Sequence, residues 1–156
     1  MAILIENCQK KTRLDLRRIR QSLNRIVRYL ECGNKEVSLR LVDNGIIREI
    51  NRQYLGRDYA TNVMSFSLSE GEFGNINPSV LGDIIISVEK ALSDARKARM
   101  NFYDEVDFLM IHGLLHLTGY NHEDNADAEE TSRMEKKERQ VFFKLNGYWA
   151  SRHAST

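Results

Sequence analysis

His112, His116 and His122 are three of the four histidines in the chain, and they fall within eleven residues. An apolar run from Val106 through Phe108, Leu109, Met110 and Ile111 leads into them, which predicts a buried helix. Residues four apart share one face of a helix, so His112 and His116 can aim their imidazoles at a single point. Gly119 predicts the end of that helix, because glycine accepts the left-handed conformation that closes a helix C-terminus. The chain can then turn back and bring His122 to the same point. Three neutral nitrogens from a helix and its following turn make an open tetrahedral site for one zinc ion per chain, with water in the fourth position. That is the arrangement of catalytic rather than structural zinc. Nickel, copper and iron also accept three histidines.

The spacing matches the long zinc-peptidase motif, in which the third histidine follows the second by six residues with a glycine between. The peptidases place a glutamate directly after the first histidine as general base. Here that position is Gly113. The spacing therefore predicts the metal cage without the peptidase base.

The elements that must position these residues are legible in the hydrophobic pattern. Residues 2–7 form a short apolar run suited to a strand, and Leu16, Ile19, Leu23, Ile26, Val27 and Leu30 recur at helical spacing within 12–30. Gly33 and Asn34 supply a stop. Val37, Leu39 and Leu41 alternate with polar residues over 36–42, which predicts a strand. Asp43 is placed to cap a helix carrying Ile46, Ile47, Ile50 and Tyr54. Strands are predicted at 63–66 and 83–88, then helices at 88–100, 102–118 and 126–145. Residues 71–80 read as a loop between two strands. Helices packed on a small mixed sheet make an α/β or α+β domain.

With 156 residues and no internal boundary, the expectation is a single domain over 1–150 and a polar tail at 151–156 that holds the remaining histidine, His153. A net charge of +1 with 42% apolar residues excludes disorder and a wholesale polycation, so nucleic-acid contact must come from local patches. The first residues reach a charge at Glu6 too soon for a secretory signal. Cys8 and Cys32 lack metal or redox spacing and read as free thiols, so the expected location is the cytoplasm.

One such patch is the first helix. Lys10, Lys11, Arg13, Arg17, Arg18, Arg20, Arg25 and Arg28 face only Asp15 as an acid through position 28. Arg13, Arg17 and Arg20 are candidate phosphate contacts, and a solvated face is the alternative explanation. A second segment, 51–66, is dense in hydrogen-bonding side chains: Arg57 could hold a phosphate through its planar fork of donors, with Asn62 and Ser65 as candidate substrate contacts. The acids Glu123, Asp124, Asp127, Glu129 and Glu130 suit the N-terminus of the last helix, where its dipole favours negative charge.

Taken together, these segments resemble the YbeY family of bacterial endoribonucleases and rRNA maturation factors. The resemblance is carried by His112, Gly113, His116, Gly119, Tyr120 and His122, by Asp58 and Thr61–Phe66, by Leu81–Ile84, and by Met134 and Glu138 on the last helix. It spans roughly residues 37–138. Four positions depart from the family pattern. Leu55 stands where an arginine follows the aromatic Tyr54, and Arg57 is the nearby substitute. Asn121 replaces an aspartate, Ser67 replaces a proline, and the stretch from His122 to Met134 is a few residues longer.

The resemblance implies a single α+β domain with a four-stranded mixed sheet and a metalloprotease-like three-histidine zinc site. It implies a zinc-dependent, single-strand-specific endoribonuclease in small-subunit rRNA 3′ end maturation and ribosome biogenesis or quality control. The implied partners are RNA and the ribosome or its small subunit, with no membrane and no DNA. Arg57 and Asp83 are the candidate catalytic side chains. Two other readings use the same residues: a ribosome-assembly binding protein with a non-catalytic metal, and a zinc metallopeptidase, which Gly113 argues against.

Overall fold

Strand β1 (Ile3–Asn7) is followed by helix α1 (Leu16–Tyr29), β2 (Glu36–Val42), α2 (Asn44–Leu55), β3 (Val63–Ser67), β4 (Val80–Ser87), α3 (Val88–Ala98), α4 (Phe102–Leu117) and α5 (Ala128–Asn146). The structure is a computed structural model, and it describes residues 3–68, 79–120 and 127–150. The tail with His153, most of the predicted 71–80 loop, and residues 121–126 with His122 lie outside the described residues.

The strands form one mixed sheet in the order β1-β2-β4-β3. β1, β2 and β4 run parallel, and β3 is antiparallel to β4 at the edge. Register explains the two faces. Ile5, Leu39, Ile84 and Ser65 lie opposite one another across the four strands, and partners in register point to the same side. This side carries the main core, where Ile19, Leu23 and Ile26 of α1 and Leu109 and Leu114 of α4 are buried in one cluster with Leu39 and Ile84, and Phe142 of α5 packs on Phe108 of α4. The other side packs Val42, Met64 and Ile85 against Ile47 of α2. The result is a single α+β domain, with α2 covering one face and the helix bearing the histidine pair the other. Among the described residues no helix is long and apolar enough to cross a membrane.

Two boundaries lie three or more residues from the sequence expectation. α1 starts at Leu16 because the Asp15 side chain accepts from Arg18 N. Ahead of it, the Gln9 amide accepts from Thr12 N and donates to Thr12 O, which holds residues 9–12 in a turn. Lys10, Lys11 and Arg13 therefore precede the helix instead of lying on its face. β4 starts at Val80, three residues before the pattern suggested, because it is an interior strand with neighbours on both sides. Glu36 N donates to Ser79 O and Leu68 N to Leu81 O, and neither bond is visible in the local sequence.

A bulge in β4 brings the histidine helix close. Glu36 lies opposite Val80 but Val37 opposite Gly82, so Leu81 is the extra residue. Gly82 has φ +152°, and a Cβ there would collide with Phe66 O and sit 2.8 Å from Leu117 Cδ2. Only glycine lets the edge strand and the end of α4 converge at this point.

α4 is buried on nearly all sides from Glu105 to Leu117, as the apolar run predicted. It also buries two acids. Asp107, 1% exposed, accepts from Arg18 of α1 at 3.0 and 3.3 Å. Burial pushes the Asp107 carboxyl above its ordinary range even though the Arg18 guanidinium pulls it back.

Candidate metal centre

The rotation of α4 is set by its contact with the sheet. Gly113 faces Ile84 of β4, and Leu117 reaches Gly82. The same rotation leaves His112 and His116 together on an adjoining face. Thr118 caps the helix, after which Gly119 takes φ +102°. Gly119 N donates to His116 O and Tyr120 N to Leu115 O, the paired bonds of a Schellman closure. The turn that Gly119 predicted is present.

The two imidazoles converge. Their Nε2 atoms are 3.2 Å apart, with ring planes at 77°. His112 is fully buried and His116 half-buried. On the far side of the His112 ring, Nδ1 meets the Glu138 carboxylate, itself 1% exposed, in a short buried contact. A carboxylate there holds the proton on Nδ1 and leaves the Nε2 lone pair directed at His116.

These residues fit a metal. Two nitrogens each about 2.0–2.1 Å from a tetrahedral zinc would be about 3.3 Å apart, close to the spacing found. The carboxylate behind the imidazole is the usual companion of a metal-ligating histidine. Among the described residues no cluster of three or more His, Cys, Asp or Glu side chains assembles, and His122 is outside them, so the three-histidine cage itself is not described.

The other candidates are dispersed. Arg57 is exposed in the turn after Gly56, the left-handed cap of α2, and no side-chain partner is described for it. Its neighbour Asp58 is engaged by Arg48 at 2.8 Å, which holds its carboxyl below the usual range. Asn62 is 2% exposed and donates to Asp94 of α3 at 3.1 Å, joining β3 to that helix. Ser65, opposite Ile84, is half-buried on the sheet face that carries α4. Asp83 pairs with Phe66, whose ring packs on Tyr54 of α2. Successive strand residues alternate sides, so Asp83 is on the face away from the histidines. Arg13 and Arg17 are exposed, whereas Arg20 donates to Ile3 O at 2.7 Å and fastens β1.

Asp127 is the N-cap of α5 and accepts from Glu130 N, with Glu129 and Glu130 in the first turn. The acids described there serve the helix end, as expected. The Arg18–Asp107 pair escaped the sequence reading. Its only signal was an aspartate inside an otherwise apolar helical run, which requires a cation from elsewhere in the chain.

The endoribonuclease YbeY family model matches residues 4–146. A protein named endoribonuclease YbeY from Syntrophus aciditrophicus is 57% identical over 148 residues, covering 95% of this chain and 92% of that one. One of the same name from Geobacter sulfurreducens is 44% identical over 142 residues, covering 91% and 94%. The solution structure of TM1509 from Thermotoga maritima superposes with a TM-score of 0.59 at 26% identity, covering 93% and 92%. A match that runs from β1 to the end of α5, and places the histidine helix and its Glu138 partner inside it, assigns the chain to the endoribonuclease YbeY family.

Proposed function

We propose that this protein is a zinc-dependent endoribonuclease that cuts single-stranded RNA in small-subunit rRNA 3′ end maturation, acting with the ribosome in the cytoplasm. The observation that carries the reading is the convergent Nε2 pair of His112 and His116 backed by Glu138. His112, His116 and His122 would hold the metal. A zinc ion bound there would supply a Lewis acid for a phosphoryl oxygen and would lower the pKa of water at the site to about 7. Glu138 keeps the His112 ring in one tautomer and orientation. Arg57, exposed beyond α2, is the proposed cation for substrate phosphate in place of the arginine absent at Leu55. Ser65, on the sheet face that carries α4, is the proposed RNA contact there.

The test is incubation of metal-loaded protein with single-stranded RNA, duplex RNA and casein, with and without chelator. Chelator-sensitive cleavage of the single strand alone is expected. Intact RNA with retained ribosome binding would favour an assembly protein with a non-catalytic metal, and casein cleavage would favour a peptidase. His116→Ala is expected to lose the bound zinc and cleavage together, as read by metal analysis and RNA gels. Tightly bound zinc in that variant would overturn the site. Glu138→Gln preserves shape but removes the anionic partner, so zinc affinity should fall about 10- to 100-fold. Competitive chelator titration measures this, and an unchanged affinity would remove Glu138 from the centre.

A further inference from the structure

We propose that the cleft between α1 and the C-terminal end of α5 binds the phosphodiester backbone of the RNA strand at a distance from the histidine pair. This inference rests on the ribonuclease reading. The cleft has a volume of about 530 Å³ and is lined by Arg18, Gln21, Asn24, Arg25, Arg28 and Asn146, with no carboxylate among its described lining residues. Arg18 is already committed to Asp107. Arg25 is oriented by three acceptors: the Tyr29 hydroxyl at 3.0 Å and the terminal α5 carbonyls of Lys144 and Leu145 at 3.5 Å. No side-chain partner is described for Arg28. At the same end of α5, the Nδ2 of Asn146 is buried and without a hydrogen-bond acceptor. A buried donor of this kind calls for an acceptor that none of the described residues provides. Cations, amide donors and an unmatched N–H, with no acid among them, are the lining that an anionic oxygen requires.

Position supports a backbone contact and not a second reaction centre. α5 runs antiparallel to α4, since Glu138 meets His112 and Phe142 packs on Phe108. Leu145 is seven residues beyond Glu138, which places the cleft about 10 Å along the helix from the His112 contact. A strand several nucleotides long could occupy both. The Tyr29 ring beside the cleft, with Arg25 at 5.8 Å and Lys144 at 5.9 Å, continues the basic surface.

The test measures anisotropy of a 2′-O-methyl oligouridine of roughly 12 nucleotides over a range of salt, and single-turnover cleavage of a short RNA that spans the histidine site only. Arg28→Glu should weaken binding of the long strand about tenfold and lower its salt slope by at least about 0.7, the share of one phosphate contact. Asn146→Asp, which leaves the Arg25 contacts in place, should also weaken it. Both variants should cut the short RNA at the wild-type rate, and Arg13→Glu/Arg17→Glu should change the slope less than Arg28→Glu does. Wild-type slopes in both cleft variants would overturn the cleft and leave the ribonuclease reading standing. A wild type that neither binds nor cuts RNA would overturn both.

Discussion

Gly113→Glu is expected to destabilise the protein by about 4 kcal/mol or more and to create no peptidase. The substitution restores the peptidase motif on paper, but position 113 does not face the histidine pair. It faces β4, where even a Cβ would lie 2.9 Å from Ile84 Cγ2 and 3.3 Å from Cγ1. A side chain three atoms longer must force the helix off the sheet, and overpacking of this kind costs about 1–3 kcal/mol. Burying the carboxyl without a partner adds roughly a similar amount. Against a total stability of about 5–15 kcal/mol, the variant should melt more than about 10 °C lower and lose the centre through loss of packing. Gly113→Ala separates the causes. Alanine gains about 1 kcal/mol of helix propensity, yet its methyl meets Ile84, so a net loss of stability is expected. That loss should shrink in an Ile84→Ala background, where the opposing atoms are gone. A Gly113→Ala protein as stable as the wild type would show that the α4–β4 contact yields, and the steric argument would fail.

Arg18→Met should cost about 3 kcal/mol at neutral pH and much less in acid. Removing one partner of a buried pair strands the other charge, at about 3–5 kcal/mol. Arg18 serves both Asp107 at 3.0 Å and Asp104 at 3.5 Å, and the Ser22 hydroxyl is the remaining neighbour that favours Asp107 ionised. The sign follows from linkage. Burial already holds the Asp107 carboxyl above its ordinary range, with Arg18 opposing that rise and Asp104 reinforcing it. Removing Arg18 raises it further. A carboxyl whose folded pKa is raised favours the folded state while protonated and loses that advantage as pH rises. Below roughly pH 4, the ordinary aspartate value, Asp107 is neutral in both proteins and their stabilities should converge. As pH rises toward the variant's higher folded pKa the gap should widen, then level off above it. Urea midpoints measured across this range check the pattern, and a gap independent of pH would refute it. Arg18→Met/Asp107→Leu should recover most of the loss, because no charge is left stranded.

The sequence by itself determined the local features of the centre. Spacing put His112 and His116 on one helical face, Gly119 closed that helix, and Asp43 capped the helix it was assigned to. The alternation of Val37, Leu39 and Leu41 matched β2 residue for residue. Each of these rests on bonds or periodicities within a few residues, which a pattern can carry. The tertiary structure decided what those elements meet. Glu138 reaches His112 across 26 residues and Arg18 reaches Asp107 across 89. The absent peptidase base was visible as Gly113, but the reason that nothing larger fits there is Ile84 on another strand. Asp83 read as a possible proton acceptor, and strand register puts it on the sheet face away from the histidines; the basic residues of α1 read as one patch, within which Arg18, Arg20 and Arg25 take separate partners. Side-chain direction in a sheet and pairing between helices depend on which segments pack together, and packing is a property of the whole chain that no single window of sequence contains.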